Sequence, residues 1–224
     1  MTLSQGLLEP RVAAEIAALH ASSKADKWVF ARALPTALFA AISGRSIIES
    51  VQPRLREAYI GVPPEVGQLL YLTARAIDAK HVVEFGTSFG ISAIYLAAAM
   101  RDTGGRFVGS EREANKLAIA RQHLDRAGLS AFAEVRGGDA MQSLADVSAP
   151  IDLVLLDGWK DLYLPMLTLL RPKLRKGSVV MADNITMFKK DLRPYVAFVQ
   201  ERANGFASTT LPLGSGLEYS VFCG

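Results

Sequence analysis

The chain has 224 residues, of which 50% are hydrophobic and 21% charged. That length and balance suit one globular domain with a sizeable core, and they exclude a disordered or collagen-like chain. Lysine and arginine total 25 against 22 acids, a net +3 scattered along the sequence. Phosphate tracking needs a concentrated basic stripe, so no nucleic-acid partner is expected.

A single cysteine, Cys223, rules out an internal disulfide framework and a cysteine-based zinc site. The opening Met-Thr-Leu-Ser-Gln-Gly has neither the charged start nor the apolar run of a signal peptide. The most apolar early stretch, 33–48, is broken by Pro35, Gly44 and Arg45. It falls short of the roughly 20 apolar residues that a membrane span requires. A soluble, cytoplasmic protein without a membrane partner is the expectation.

In chain order, residues 7–59 read as helices. Val12, Ile16 and Leu19 recur at helical spacing, as do Leu34, Leu38 and Ile42, while Pro10, Pro35 and Pro53 mark breaks or first turns. An N-terminal helical cap is the favoured reading; Trp28, Phe30, Phe39, Ile47 and Ile48 could instead form a substrate lid or a homodimer contact, and the sequence does not rank those two. From Val62 the pattern alternates. Val66, Leu69, Leu70, Thr73 and Ile77 share a helical face, and 81–85 is a short buried strand ending at Gly86. Helix returns over 91–100, strand over 106–109, and helix over 113–127 with Gly128 placed to end it. Further strands are expected at 132–135, 151–156 and 179–182. Apolar strands alternating with helices predict a doubly wound, mostly parallel Rossmann-like sheet with helices on both faces. The tail departs from this, since 208–211 and 218–222 flank Pro-Leu-Gly-Ser-Gly and predict an antiparallel hairpin. One α/β domain, 61–224, with an N-terminal helical extension, 1–60, is therefore expected.

The first strand runs into Gly86-Thr87-Ser88-Phe89-Gly90 and then a helix. In such sheets ligands bind at the carboxyl ends of strands, where glycines let backbone turn tightly and approach closely. The spacing is neither the dinucleotide G-x-G-x-x-G nor a P-loop, and a plain glycine turn explains it equally well on its own. Two later strand ends add weight. Glu111 stands where a ribose diol would lie, and a carboxylate there accepts two hydroxyl hydrogen bonds at once. Asp139 follows the third strand, where it could accept from an adenine amino group. Each could instead cap the next helix. Three such features at successive strand ends point to an adenosine-containing ligand.

The fourth strand ends in Asp157-Gly158-Trp159-Lys160-Asp161-Leu162-Tyr163, and the fifth in Asp183-Asn184. Two carboxylates and an amide oxygen would converge there, a hard donor set suited to Mg²⁺ or Ca²⁺. Helix capping by Asp157 and a turn at Asp183-Asn184 is the bland alternative. Lys160, three residues beyond Asp157, would face the same cavity beside a cation, which lowers its pKa toward that of a useful base. Otherwise it is a solvated helix-start residue beside Asp161. Trp159 would either wall a flat substrate or simply pack.

The run from Asp157 through Lys160 and Tyr163 to Leu-Pro, followed by Leu-Arg-Lys-Gly-Ser-Val-Val-Met-Ala-Asp183-Asn184, resembles the cation-dependent class I O-methyltransferases, and within them the catechol O-methyltransferase branch. The stretch 211–217 is similar to the terminal hairpin of the related caffeoyl-coenzyme A O-methyltransferases. This resemblance covers 62–224 and implies S-adenosylmethionine as cofactor, with Val62, Glu84, Gly86, Thr87, Gly90 and Ser92 along its methionine and ribose side. It further implies Glu111 at the ribose, Asp139 and Ala140 by the adenine, and Asp157 shared between the cofactor site and the metal. Asp157, Asp183 and Asn184 would bind Mg²⁺ or another hard divalent cation, and Lys160 would be the general base. Trp159, Lys160 and Asn184 would face a small aromatic hydroxyl acceptor.

One departure stands out. Catechol enzymes place an acidic residue near the terminal hairpin to contact the second hydroxyl, and 209–214 here has no carboxylate. Glu218 comes later, but in register it falls within the last strand. A different hydroxyl acceptor, or cofactor binding without catalysis, are the rival expectations. A nucleic-acid methyltransferase is disfavoured by the lack of an Asn-Pro-Pro-aromatic motif.

Overall fold

A computed structural model of the chain describes residues 6–25 and 61–224. Helix α1 spans Pro10–Ala25. The periodic positions Leu34, Leu38 and Ile42, and the apolar residues from Trp28 to Ile48, lie outside the described residues. From residue 64 the order is α2 (Pro64–Ala76), β1 (His81–Phe85), α3 (Ile91–Thr103), β2 (Arg106–Glu111), α4 (Ala114–Arg126) and β3 (Ala133–Gly137). Then come α5 (Ala140–Ser143), β4 (Ile151–Leu156), α6 (Tyr163–Leu170), β5 (Leu174–Ala182), α7 (Lys189–Gln200), β6 (Phe206–Leu211) and β7 (Leu217–Phe222).

The seven strands form one sheet in the order β3-β2-β1-β4-β5-β7-β6. Strands β1 to β5 are mutually parallel, and β7 and β6 run antiparallel. Because successive strand side chains point to opposite faces, each strand feeds two apolar layers. Leu153, Leu155, Val179 and Met181 enter the layer shared with α1 to α4, whereas Val154, Leu156, Val180 and Ala182 enter the layer beneath α6 and α7. All six residues of β4 are buried, the apolar run 153–156 on both faces of the sheet and Asp152 through hydrogen bonds from the Lys80 and His81 amides and Arg175.

Register sets the site. Phe85 pairs with Ser110 on one side and Leu156 on the other, and Leu156 pairs with Ala182. The next residues along each strand, Gly86, Glu111, Asp157 and Asp183, therefore emerge along one edge of the sheet. Strand order reverses between β1 and β4, which is where ligands sit in open α/β sheets.

Helix α3 has no polar face, and every residue from Ile91 to Met100 is buried. It lies beneath α1 and α2, and its alanines let them approach. A Cβ on Gly67 of α2 would stand 2.3 Å from the Tyr95 ring, so that close approach requires glycine. Helix α1 joins the same core through Val12 and Leu19, and Glu15 receives Arg126 at 2.8 Å.

Several boundaries differ from expectation: β2 runs on to Glu111 rather than 109, β6 starts at Phe206 rather than 208, and β5 and β3 also shift. β5 begins at Leu174 rather than near 179, because Leu174 pairs with Ile151 across a register shift. Polar Arg175, Lys176 and Gly177 hide this extension from hydrophobic patterning. It is held by Ser178 Oγ donating to the Ile151 carbonyl at 2.6 Å and Arg175 Nε donating to Asp152 Oδ1 at 2.6 Å. β3 is displaced to 133–137, carrying its end to Gly138 (φ 96°) just before Asp139.

Candidate active site

The loop after β1 is a cradle built by backbone strain and close approach. Gly86 has φ 97°, and a Cβ there would lie 2.5 Å from the Gly158 nitrogen and 2.7 Å from the Asp157 carbonyl carbon. The first and fourth strand ends are thus pressed together, a contact only glycine permits. Gly86 and Thr87 both donate their amides to the Ser110 carbonyl, at 3.2 and 2.9 Å. Ser88 adopts φ 50° and donates its amide to Glu111 Oε2 at 2.7 Å, while Glu113 donates its amide to Oε1 at 2.8 Å. Glu111 is thereby fixed at the end of β2, each oxygen retaining a second lone pair. Gly90 (φ 91°) opens α3 without any side-chain cap. Gly61 lies against Ile91, which places Val62 beside the first turn of α3, itself 1% exposed.

Glu84 is fully buried at the end of β1, and neither carboxylate oxygen makes a well-formed hydrogen bond. Burial pushes its pKa up to about 7, against the opposing influence of the Ser92 and Thr87 hydroxyls. The hydroxyls of Thr87 and Ser88 are likewise buried without a well-formed hydrogen bond. Unmet polar groups at this density are rare in folded interiors. Asp139 does cap α5, accepting from the Met141 amide at 2.9 Å, and its second oxygen is uncommitted at the exposed rim beside Ala140.

A second cluster forms where β4 and β5 end. Lys160 Nζ donates to Asn184 Oδ1 at 2.6 Å and to the Tyr163 hydroxyl at 2.7 Å, and stands 3.5 Å from Asp157 Oδ1. Asp183 Oδ1 accepts the Asn184 amide at 2.7 Å, and its Oδ2 accepts Asn184 Nδ2 at 3.1 Å. Asn184 has φ 66°, a left-handed conformation that asparagine tolerates better than most residues. Lys160 is only 9% exposed, so it is not a solvated helix-start residue. Burial lowers its pKa, with Asp157 and Asp183 opposing. Burial also raises the pKa of Asp157, and that of Asp183. The Lys160 ammonium thus stands beside the partly buried Asp157 carboxylate, and the buried Asp183 carboxylate is bound through Asn184.

The predicted residues thus fall into two adjoining groups. Glu84, Gly86, Thr87, Gly90, Ser92 and Glu111 surround the first loop, and Asp157, Lys160, Asp183 and Asn184 meet at the second. Trp159 is half-buried and packs against the lower apolar layer. Sequence reasoning assigned no role to Tyr163 or Phe188, whose rings lie 4.9 and 5.6 Å from Lys160 Nζ. The Lys-x-x-Tyr spacing was the available signal for the first, since it brings both side chains onto one turn. Glu218 lies within β7 as register predicted, fully buried and accepting from Gln200, Ser208 and Thr210.

A parallel sheet with an antiparallel terminal hairpin, glycines after β1 and an acid after β2 defines the fold of the class I methyltransferases. A family described as "Methyltransferase domain" matches residues 83–185. Catechol O-methyltransferase B of Danio rerio is 30% identical over 193 residues, covering 80% of this chain and 73% of that protein. The catechol O-methyltransferase of Niastella koreensis is 32% identical over 130 residues, 56% of this chain. That match spans only 58% of the Niastella protein's length. The crystal structure of the O-methyltransferase TomG from Streptomyces achromogenes, involved in tomaymycin synthesis and in complex with SAM, superposes with a TM-score of 0.67 at 27% identity. It covers 73% of this chain and 82% of TomG. The chain belongs to the catechol O-methyltransferase family.

Proposed function

We propose that the chain transfers a methyl group from S-adenosylmethionine to a hydroxyl of a small aromatic vicinal diol, with the help of a hard divalent cation. The observation that carries this reading is the pairing of two neighbouring sites on one sheet edge. One holds the Glu84, Thr87 and Ser88 oxygens without well-formed hydrogen bonds, and the other holds Lys160 against Asp157 and Asn184, with buried Asp183 bonded to Asn184.

S-Adenosylmethionine fits the first site. Its ammonium would meet the unpaired Glu84 carboxylate, its ribose would lie against Glu111, and its adenine near Asp139 and Ala140. When bound it supplies an activated methyl group on a sulfonium. Mg²⁺ fits the second, because Asp157, Asp183 and Asn184 offer three hard oxygens, and burial disfavours the charge of the two carboxylates without a cation. When bound it would lower the pKa of an acceptor hydroxyl and orient the acceptor. Lys160, its charge disfavoured by burial, would accept the proton from that hydroxyl. Trp159 at the rim would exclude water from a reaction in which opposite charges combine.

A second reading keeps the chemistry and changes the acceptor to a non-catechol hydroxyl. It is favoured by Glu218, whose burial and hydrogen bonds leave the hairpin without the acid expected at a second hydroxyl. An acceptor panel of catechol, caffeate esters and single-hydroxyl phenols separates the two. Preference for vicinal diols supports the first, and turnover confined to monophenols supports the second.

The cofactor assignment has a pH signature. A carboxyl raised to about 7 is largely protonated in the free chain below that pH. Its burial favours the folded state most below the unfolded carboxyl pKa near ~4.3 and is lost as pH rises through 7. A cationic ligand needs the charged form, so S-adenosylmethionine affinity should rise between about pH 6 and 8 with proton release. Calorimetry in buffers of different ionisation heat checks this. Glu84→Gln should weaken binding and flatten its pH dependence, and a wild-type affinity that does not vary with pH would place the ligand's cation elsewhere.

A further inference from the structure

We propose that Tyr163 is a positioning residue that aims the amine of Lys160, an inference that rests on the assignment of Lys160 as the base. The Tyr163 hydroxyl is bonded on both sides. It donates to the Asp183 carbonyl at 3.1 Å and accepts from Lys160 Nζ at 2.7 Å. Its own proton is therefore committed to the backbone that carries a proposed metal ligand, and it presents a lone pair to Lys160.

The ring cannot swing away. Tyr163 is fully buried and packed edge-on against Phe85 and Tyr195, with centroids 6.4 and 5.7 Å away and interplanar angles of 77° and 88°. Phe85 ends β1 and Tyr195 lies in α7, so three elements hold one hydroxyl in place.

Tetrahedral geometry at nitrogen completes the constraint. One N–H of Lys160 points to Tyr163 and a second to Asn184 Oδ1 at 2.6 Å. With two of its directions fixed, the third substituent position is fixed as well. In the ammonium that position holds a proton, and in the neutral amine it holds the lone pair that would accept one. A flexible four-carbon side chain would otherwise spread that direction over many rotamers. Tyr163 thus converts a mobile base into one with a single approach direction, which is where orientation acts on rate.

The test is a double-mutant cycle with catechol as acceptor, Mg²⁺ and radiolabelled S-adenosylmethionine. Tyr163→Phe retains the ring and its edge contacts. It should lower kcat roughly 10- to 100-fold, with KM and cofactor Kd changed by less than about twofold. In the Lys160→Ala background the same change should have no further effect. An equal loss in both backgrounds, or an unchanged kcat in Tyr163→Phe when Lys160→Ala is impaired, overturns the proposal. Proton–nitrogen NMR of the lysine ammonium groups supplies a readout that needs no acceptor. The Lys160 signal, identified by its disappearance in Lys160→Ala, should be sharp at pH 6 and broaden in Tyr163→Phe. Should that variant fail to fold, the wild-type signal still decides, since exchange as fast as that of exposed lysines contradicts the hydrogen bond. Full turnover by Lys160→Ala would instead remove the base assignment, with the NMR signal judging Tyr163 separately.

Discussion

Lys160→Ala lowers methyl transfer to catechol by roughly 10²- to 10⁴-fold, the usual span for a positioned general base, while cofactor affinity stays within about twofold. The separation comes from geometry. Lys160 touches Asp157, Tyr163 and Asn184, and none of its hydrogen bonds reaches the loop after β1. Removing it deletes the ammonium beside the Asp157 carboxylate and near that of Asp183, so the free enzyme should lose some stability near neutral pH. A divalent cation would restore the charge balance, and at saturating Mg²⁺ the variant should be folded and still slow. Lys160→Arg is the informative companion. It keeps the positive charge but cannot give up its proton near neutrality, so it should be as slow as the alanine variant. Turnover in Lys160→Ala equal to that of the parent enzyme would take Lys160 out of the mechanism.

Gly86→Ala should abolish detectable cofactor binding, or weaken it by more than about tenfold, and lower the melting temperature by several degrees. Two costs combine. A positive φ of 97° is disfavoured for alanine by roughly 1–2 kcal/mol. The added Cβ also meets backbone at 2.5 Å, which no side-chain rotation relieves. The loop must then move away from Gly158 and carry Thr87 and Ser88 with it. Gly104→Ala isolates the first cost. Gly104 has φ 71°, and nothing lies within 4 Å of its Cβ position. That variant should lose stability of the same order as the backbone strain alone and bind cofactor normally. Thermal shift and calorimetry on the two proteins measure the difference, and equal cofactor affinity in both would show that the strand-end contact does not shape the site.

Most of the architecture was legible because its signals are local. The strands at 81–85 and 151–156 matched expectation to the residue, since short β-branched and apolar stretches between helices outweigh the single acids Glu84 and Asp152 within them. The N-terminal half of β5 was not legible. Arg175, Lys176 and Gly177 carry no apolar signal, and their strand geometry is imposed by Asp152 and Ile151 across the sheet. The site residues at strand ends could be found because register in a parallel sheet brings the first residues beyond each strand to the same edge. Tyr163 and Phe188 were missed because their roles depend on which way Lys160 turns, and that is decided by tertiary packing. Glu84 was placed on the cofactor side by resemblance. Its unusual state, complete burial with neither oxygen well bonded, emerges only once α3 and the first loop close over it.

The proposed union of a cofactor cradle and a cation-assisted base on one sheet edge is tested most directly by a calorimetric titration with S-adenosylmethionine, joined to assays of methyl transfer to catechol in Mg²⁺ and in EDTA. Saturable binding that survives EDTA, with turnover that requires Mg²⁺, is the predicted result. Absence of binding, or turnover as fast in EDTA as in Mg²⁺, would contradict it.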